Sequence, residues 1–311
     1  MLMDIKNKTK VTMFEFSGLT DDKELVPFLF MFIFLVYMVT LVGNMGMIAI
    51  VFVFSSLHTP MYYFLSSLSL VDIFYSSVIT PNMLSQFLSL KKSISFLGCA
   101  AQYYFFCALG STEVILLSSM SYDRYVAICH PLHYTLIMTK KKCFGLIVYS
   151  SSISFLQSVV QTSCVFSLPF CGSNLIDHFY CDIPPLIRLS CSDNLHCDMV
   201  NGALVAACGI YSLTTIFLSY ALIFRSIFRM TSTKSRQKAF STCSSHIICV
   251  SVFVTAVFFV YLRPHSGGLD IQDKVASVFY TAVSPMLNPL IYSLRNQEVK
   301  RVLAQALQKP F

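Results

Sequence analysis

Apolar residues gather into seven long stretches parted by short polar ones, near residues 25–54, 60–88, 97–128, 143–168, 199–228, 238–262 and 273–294. A helix needs about 20 mostly apolar residues to cross the hydrocarbon core of a bilayer, and each stretch is long enough. Ser, Thr and Pro interrupt the second, fourth and seventh, which makes those the weakest of the set. The pattern predicts an all-α membrane protein, a seven-transmembrane-helix bundle whose termini lie on opposite sides. Beyond the last stretch, Leu294, Val299, Val302, Leu303 and Leu307 share one helical face and Arg295, Lys300 and Arg301 another, the signature of a short interfacial helix. The expected divisions are an extracellular N-terminus at 1–24, the bundle at 25–294 and a cytoplasmic tail with the interfacial helix at 295–311.

Composition agrees with a membrane protein. The 311 residues are 55% apolar and 12% charged, and the mean hydropathy is +0.67, outside the range of soluble domains. Basic residues then set the orientation. Segments 124–142, 225–238 and 295–311 hold 4, 5 and 4 of the 22 Lys and Arg, with Glu298 as their single acid, so they are expected to be cytoplasmic. Residues 1–24 carry five acids against four lysines, and 169–198 carry four acids against Arg188 alone. Lys91 and Lys92 run against the trend, and the sum over loops outweighs them. The net charge of +7 is therefore a topology signal rather than a nucleic-acid footprint, because it is split among loops. No signal-peptide core is seen in the first 24 residues, so the first span is expected to direct insertion. Asn7-Lys8-Thr9 is a glycosylation sequon on the side expected to be outside.

Twelve cysteines show no metal-ligand spacing, and no metal or other cofactor is expected. Cys99, Cys171, Cys181 and Cys191 lie on the oxidising side and allow three pairings. Cys197 is left over. Cys107, Cys129, Cys143, Cys164, Cys208, Cys243 and Cys249 read as small apolar packing residues.

Some polar groups sit where hydrocarbon makes them costly. Asp72, Glu113 and Asn288 fall in the middle of apolar spans, where an unpaired charge costs at least about 2.5 kcal/mol, so they are expected to face one another. Asp123 and Arg124 stand where the third span meets the cytoplasmic side. Pro285 and Pro289 each remove a backbone donor from the seventh span, and Ser284 and Asn288 are candidates to satisfy the freed groups.

The run MSYDRYVAICHPLHY at 120–134 resembles the signature of vertebrate odorant receptors, a branch of the rhodopsin-like G-protein-coupled receptors. Gly43-Asn44, LHTPMYYFLSSLSLVD at 57–72, Ser219-Tyr220, KAFSTCSSH at 238–246 and PMLNPLIYSLRN at 285–296 follow the same family's order and cover the chain from end to end. The resemblance implies that Asp123, Arg124 and Tyr125 belong to the switch that admits the G protein. It also implies that Tyr292, beside Asn288 and Pro289, swings inward on activation with Tyr220 as its partner. By the same likeness Asn44, Asp72 and Glu113 form a polar core that holds sodium or water in related receptors, and Cys99 pairs with Cys181 and Cys171 with Cys191.

Ligand class follows partly by exclusion. Amine receptors of this kind hold an aspartate about five turns above the arginine, where this chain has Phe106. Visual pigments need a lysine in the seventh span, and none lies between Val275 and Leu294. Helical spacing back from Arg124 puts Tyr103, Phe106, Cys107, Gly110 and Ser111 on one inward face. Similar counting adds Leu204 and Cys208 from the fifth span, Val254, Phe258 and Tyr261 from the sixth, and Val278 and Thr281 from the seventh. Such a lining suits small uncharged molecules oriented by hydrogen bonds from Ser111, Tyr261 or Thr281. Val254 departs from the family pattern, in which an aromatic is common.

A transporter would show inverted repeats, and a membrane enzyme a Ser/His or metal constellation; neither is visible, so no enzymatic activity is expected. The reading is a plasma-membrane odorant receptor for volatile, largely apolar molecules, with a stimulatory G protein and the lipid bilayer as its partners and cyclic AMP as its output. A receptor for a non-volatile metabolite outside the olfactory epithelium is the alternative.

Overall fold

The computed structural model describes residues 11–20, 22–89, 91–171, 173–192, 194–261, 271–295 and 297–308. Asn7 lies outside the described residues, as do the side chains of Phe258 and Tyr261. Helices α1 to α5 are Val26–Val53, Pro60–Leu88, Phe96–Cys129, Lys140–Phe166 and Leu195–Arg229. Helix α6 is Thr233–Tyr261. Helix α7 has three parts, an α-helix Ile271–Val278, a π turn Phe279–Val283 and an α-helix Ser284–Arg295. Helix α8 is Gln297–Gln308.

Local chemistry explains several of the starts. Pro60 opens α2, where a residue with no N–H and a fixed φ costs nothing. Ser95 caps α3 by accepting from the Gly98 N–H at 3.1 Å, and Thr139 caps α4 through the Lys142 N–H at 3.3 Å.

Of the three spans expected to be weak, the second and fourth are full-length and apolar, the seventh is indeed broken, and the sixth joins it. Among the described residues α1 to α5 are each long and apolar enough to cross a membrane, whereas α6 offers only the shorter apolar stretch Cys243–Val257 and α7 is divided. The serines of α4 are cheap in an apolar setting because they bond their own helix, Ser150 to the Leu146 carbonyl at 2.7 Å and Ser154 to the Ser150 carbonyl at 2.8 Å. The dilution of α6 comes from its polar opening, Thr233 to Lys238.

Helix α3 runs through the middle, packed against α2, α4, α5 and α6, while α1 lies against α2 and α7. On α1 the outward residues Phe28, Val42 and Phe52 are exposed, an apolar face of the kind that lipid covers. One end of the bundle carries Arg124. The other carries a feature the hydropathy pattern does not announce, a three-stranded sheet of β1 (Met13–Phe16), β2 (Ser93–Ser95) and β3 (Leu175–Ile176), with β1 in the middle. β1 pairs antiparallel with β2 (Phe14 opposite Ile94) and parallel with β3 (Phe16 opposite Ile176). Phe14 and Phe16 point inward into an apolar cluster with Phe170, Ile176 and Leu186.

Both disulfides lie at this sheet end, Cys99–Cys181 joining the start of α3 to the loop before α5 and Cys171–Cys191 closing that loop on itself. At the opposite end α8 buries Val299 and Val302, and its exposed side holds an Arg301–Glu298 ion pair at 3.0 Å.

Candidate functional site

Three groups of residues line the axis of the bundle. At the sheet end, the space between α2, α3 and α7 is filled by aromatic rings. Phe106 stacks on Tyr75 at 5.7 Å between centroids and lies 5.1 Å from Tyr180 and 6.2 Å from Tyr280. Tyr180 is a loop residue whose hydroxyl bonds the Tyr280 hydroxyl and the Asp182 carboxylate. Gly110 faces the Tyr75 ring, which would lie in ordinary contact, at 3.5 Å, with a Cβ placed there. The cavity expected among the helices is thus occupied at this level by a side chain from the loop.

Beside these rings runs a polar seam between α3 and α5. Tyr103 reaches Asn201 at 3.5 Å and hydrogen bonds with Cys107, and Ser111 meets Cys208, which also meets Ser212. Leu204 and Val254 are half-buried and Val278 is buried. Thr281 is buried, and its hydroxyl donates to the Ser277 carbonyl at 2.6 Å, which leaves its oxygen only as an acceptor. Counting along α7 assumed an unbroken α-helix, but the π turn carries an extra residue and rotates what precedes it by about 100°. Tyr280, not Thr281, therefore meets Phe106.

Above the rings the loop is anchored by charge. Lys274 of α7 donates to Asp177 at 2.9 Å, to Ser17 at 2.9 Å and to the Gly18 carbonyl at 3.2 Å. Burial works to raise the Asp177 carboxyl, but the bonds from Lys274 and Ser17 prevail and hold it below its usual range. His178 beneath it is pushed down to about 3, first by burial and then by the Lys274 charge. Its Nδ1 accepts from the Phe179 N–H at 2.9 Å, so the neutral ring carries its proton on Nε2.

Midway along the axis, Asn288 donates to both Asp72 oxygens at 3.2 and 3.1 Å and to Glu113 at 3.3 Å. Asn44 donates to the Thr40 carbonyl at 2.9 Å and to the Pro285 carbonyl at 3.0 Å. That second bond takes the role expected of Asn288 at the Pro289 break, since Asn288 spends its amide on the carboxyl groups.

At the other end, Arg124 is buried near Tyr220, Cys243, His246 and Tyr292. Asp123 accepts from the Tyr134 hydroxyl at 2.9 Å, and Tyr125 bonds His130 at 3.0 Å. Burial, followed by the Asp123 charge, raises the Tyr134 hydroxyl above its ordinary range. Tyr220 is held by His246 at 2.8 Å, and the other ring nitrogen of His246 faces the Leu117 carbonyl at 3.0 Å. The pairing of Tyr220 with Tyr292 was implied for the activated receptor, and in this structure His246 holds Tyr220 instead. Tyr292 is buried with its hydroxyl toward Cys249. Tyr75, Tyr180, Tyr280, Asn201 and Tyr134 escaped the sequence reading of the site. His246 and Tyr134 both lie in recognised motifs, and a lone imidazole at the polar start of an apolar span was a readable signal.

The chain is thus a helical bundle with a buried arginine at one end and a packed group of aromatic rings at the other. Comparison gives the family. The sequence pattern of the olfactory receptor family matches residues 33–309. The chain is 49% identical to human Olfactory receptor 5B12 over 306 residues, covering 98% of this chain and 97% of that one. It is 49% identical to mouse Olfactory receptor 5B21 over 309 residues (99% and 97%) and 48% identical to mouse Olfactory receptor 5AR1 over 310 residues (99% and 99%). Squid rhodopsin superposes with a TM-score of 0.68 at 19% identity, covering 91% of this chain and 81% of that one, a likeness of fold. The chain belongs to the olfactory receptor family. It is a multi-pass membrane receptor of the G-protein-coupled fold and not an enzyme.

Proposed function

We propose that the chain binds small, uncharged, largely apolar volatile molecules at the sheet end of the bundle and activates a stimulatory G protein at the arginine end, raising cyclic AMP. The observation that carries the reading is that a single helix, α3, joins the two faces. Phe106 and Ser111 stand toward the sheet, and Asp123 and Arg124 close the other end on a buried network with Tyr220 and His246. A ligand that shifts α3 against α5 and α6 changes that network directly. Near Phe106 and Ser111 the polar groups on α3 and α5 are hydroxyls, thiols and an amide, and the nearby Asp182 carboxylate is occupied by the Tyr180 hydroxyl and the Ile183 N–H, a setting that favours neutral ligands.

In this reading the sheet end and residues 1–24 face outward with a glycan on Asn7, residues 25–294 form the receptor body, and residues 295–311 lie against the cytoplasmic leaflet of the plasma membrane. The ligand needs only a preference for the active state. A hundredfold preference corresponds to about 2.7 kcal/mol, the size of one hydrogen bond plus modest apolar burial.

The test is a screen of neutral volatiles on cells expressing the chain with a cyclic AMP reporter. Each responding compound is repeated on Arg124→Ala at matched surface level. A response lost in the variant supports the reading. Full signalling by a well-expressed Arg124→Ala receptor removes the assigned switch, and activation only by non-volatile metabolites replaces the ligand class.

A further inference from the structure

Two cysteines outside the described disulfides meet at the sheet end. Cys164 lies in the last turn of α4 and Cys197 in the first turn of α5. Cys197 belongs to the apolar cluster that also contains Cys99 and Cys181, Cys164 packs against that cluster, and the two side chains lie within interaction range of one another. Cys197 is buried and Cys164 half-buried, and both are free thiols in this structure. Asn201 holds Cys197 in place, its Nδ2 donating to the Cys197 carbonyl at 2.8 Å and to the Cys197 sulfur at 3.3 Å. From Asn201 the contact passes to Tyr103 on α3 at 3.5 Å and on to Cys107.

We infer that Cys164 and Cys197 are a redox pair that converts to a third disulfide, tying the outer ends of α4 and α5 together. Both established disulfides lie at this same end of the bundle, so the surroundings in which it folds are oxidising enough to form them. Helices α4 and α5 already pack against each other, with Cys164 and Cys197 at their adjoining ends.

The chemistry is thiol–disulfide exchange with a low-molecular-weight disulfide as oxidant, of which oxidised glutathione is the simplest. Cys164, the more exposed partner, gives up its proton and attacks one sulfur of the oxidant. A mixed disulfide forms and one glutathione thiolate leaves. Cys197 then loses its proton and attacks the Cys164 sulfur, forming the new bond and expelling the second glutathione thiolate. Each thiolate takes up one of the two protons, so two protein thiols are oxidised and one small disulfide is reduced to two thiols. Exposure of one sulfur and burial of the other suits an attacking and a resolving cysteine. The bridge would reach the ligand region through Asn201 and Tyr103, giving that region two redox states.

The experiment uses the full-length wild-type receptor in lipid nanodiscs, incubated with oxidised glutathione. It is then denatured, alkylated without reduction, digested and read by mass spectrometry. The expected result is a peptide pair joined through Cys164 and Cys197, with alkylatable cysteines falling from eight to six. Dithiothreitol at a dose that spares Cys99–Cys181 should restore all eight. Cys164→Ser should leave Cys197 fully alkylated. Recovery of both thiols alkylated after oxidation overturns the inference. So does Cys164 carrying glutathione beside an alkylated Cys197, or Cys197 joined to a loop cysteine. Because the decisive readout is on the wild-type chain, it does not depend on the folding of any variant.

Discussion

The side-chain amide of Asn44 donates to the carbonyl of Pro285 at 3.0 Å. That carbonyl is the one that the missing N–H of Pro289 would have bonded in a regular helix. Gly43 makes the approach possible, since a Cβ there would stand 3.1 Å from Pro289 Cγ. The pair Gly43-Asn44 is therefore a two-part repair of the break in α7, one residue for space and one for the bond. Asn44→Ala leaves a buried carbonyl unsatisfied and should cost about 1–3 kcal/mol. Thermal unfolding of purified receptor checks this, and an unshifted midpoint would show that something else satisfies Pro285. Gly43→Ala should destabilise by displacing Pro289 while leaving the bond's chemistry intact.

The bridge from Tyr220 through His246 to Leu117 joins α5, α6 and α3 beside Arg124. His246→Phe keeps the ring volume but removes both hydrogen bonds, each worth about 0.5–1.5 kcal/mol. Basal cyclic AMP should rise several-fold at matched surface expression. A basal level equal to wild type would mean that the bridge does not hold the closed state.

Tyr180 and Tyr280 share a hydroxyl contact over Phe106. Tyr180→Ala should open the space the loop now fills and move agonist concentration–response curves, with bulkier neutral ligands gaining potency relative to small ones. Ser111→Ala should shift curves rightward by roughly three- to thirtyfold, the size of one lost hydrogen bond. Phe106→Asp should abolish responses to neutral agonists by placing a carboxylate among apolar rings. Unchanged potencies in all three at equal surface density would place the ligand elsewhere.

His178 gives the outer loop a pH dependence whose sign can be worked out. Folding holds its proton affinity down to about 3, so the unfolded ring, near 6.5, binds a proton that the folded one refuses. Stability is full above about 6.5 and falls as pH drops toward 3, by about 2 kcal/mol at pH 5. Asp177, held below its ordinary value, adds a further loss only under more acidic conditions. Hydrogen exchange of 175–183 at pH 7 and pH 5 should show faster opening in acid. His178→Phe should flatten the difference.

Cys99→Ser and Cys181→Ser should each prevent surface delivery. Their bridge spans 82 residues and is worth on the order of 4–5 kcal/mol by loop entropy. Normal trafficking of both variants would show that the sheet and the apolar cluster suffice.

Much of the architecture was legible because membrane helices advertise themselves. Every backbone group in hydrocarbon must be paired within its own helix, so long apolar runs translate directly into elements. The meeting of Asp72, Glu113 and Asn288 was legible for a related reason, since isolated polar groups there have few partners to choose from. The rings around Phe106 were not. Tyr75 and Tyr280 look like ordinary apolar filling in an apolar helix, and Tyr180 arrives from a loop whose path no periodicity describes. The π turn moved the α7 face off its expected register, because one inserted residue is invisible to a count that assumes 3.6 residues per turn. Cys164 and Cys197 lie far apart in the chain, and only the packing of α4 on α5 brings them together.

The small sheet sets a clock on biosynthesis. β1 is made before any of the seven long helices, yet it stands between two strands that come much later, and Ser17 reaches Asp177 across 160 residues of sequence. At about 5–20 residues per second, the ribosome delivers β3 roughly 8–32 s after β1. Until then Phe14 and Phe16, buried in the finished molecule, have no pocket to enter. The amino-terminal strand thus waits through the synthesis of four spans, an apolar handle that is covered only when the fourth helix has delivered its loop.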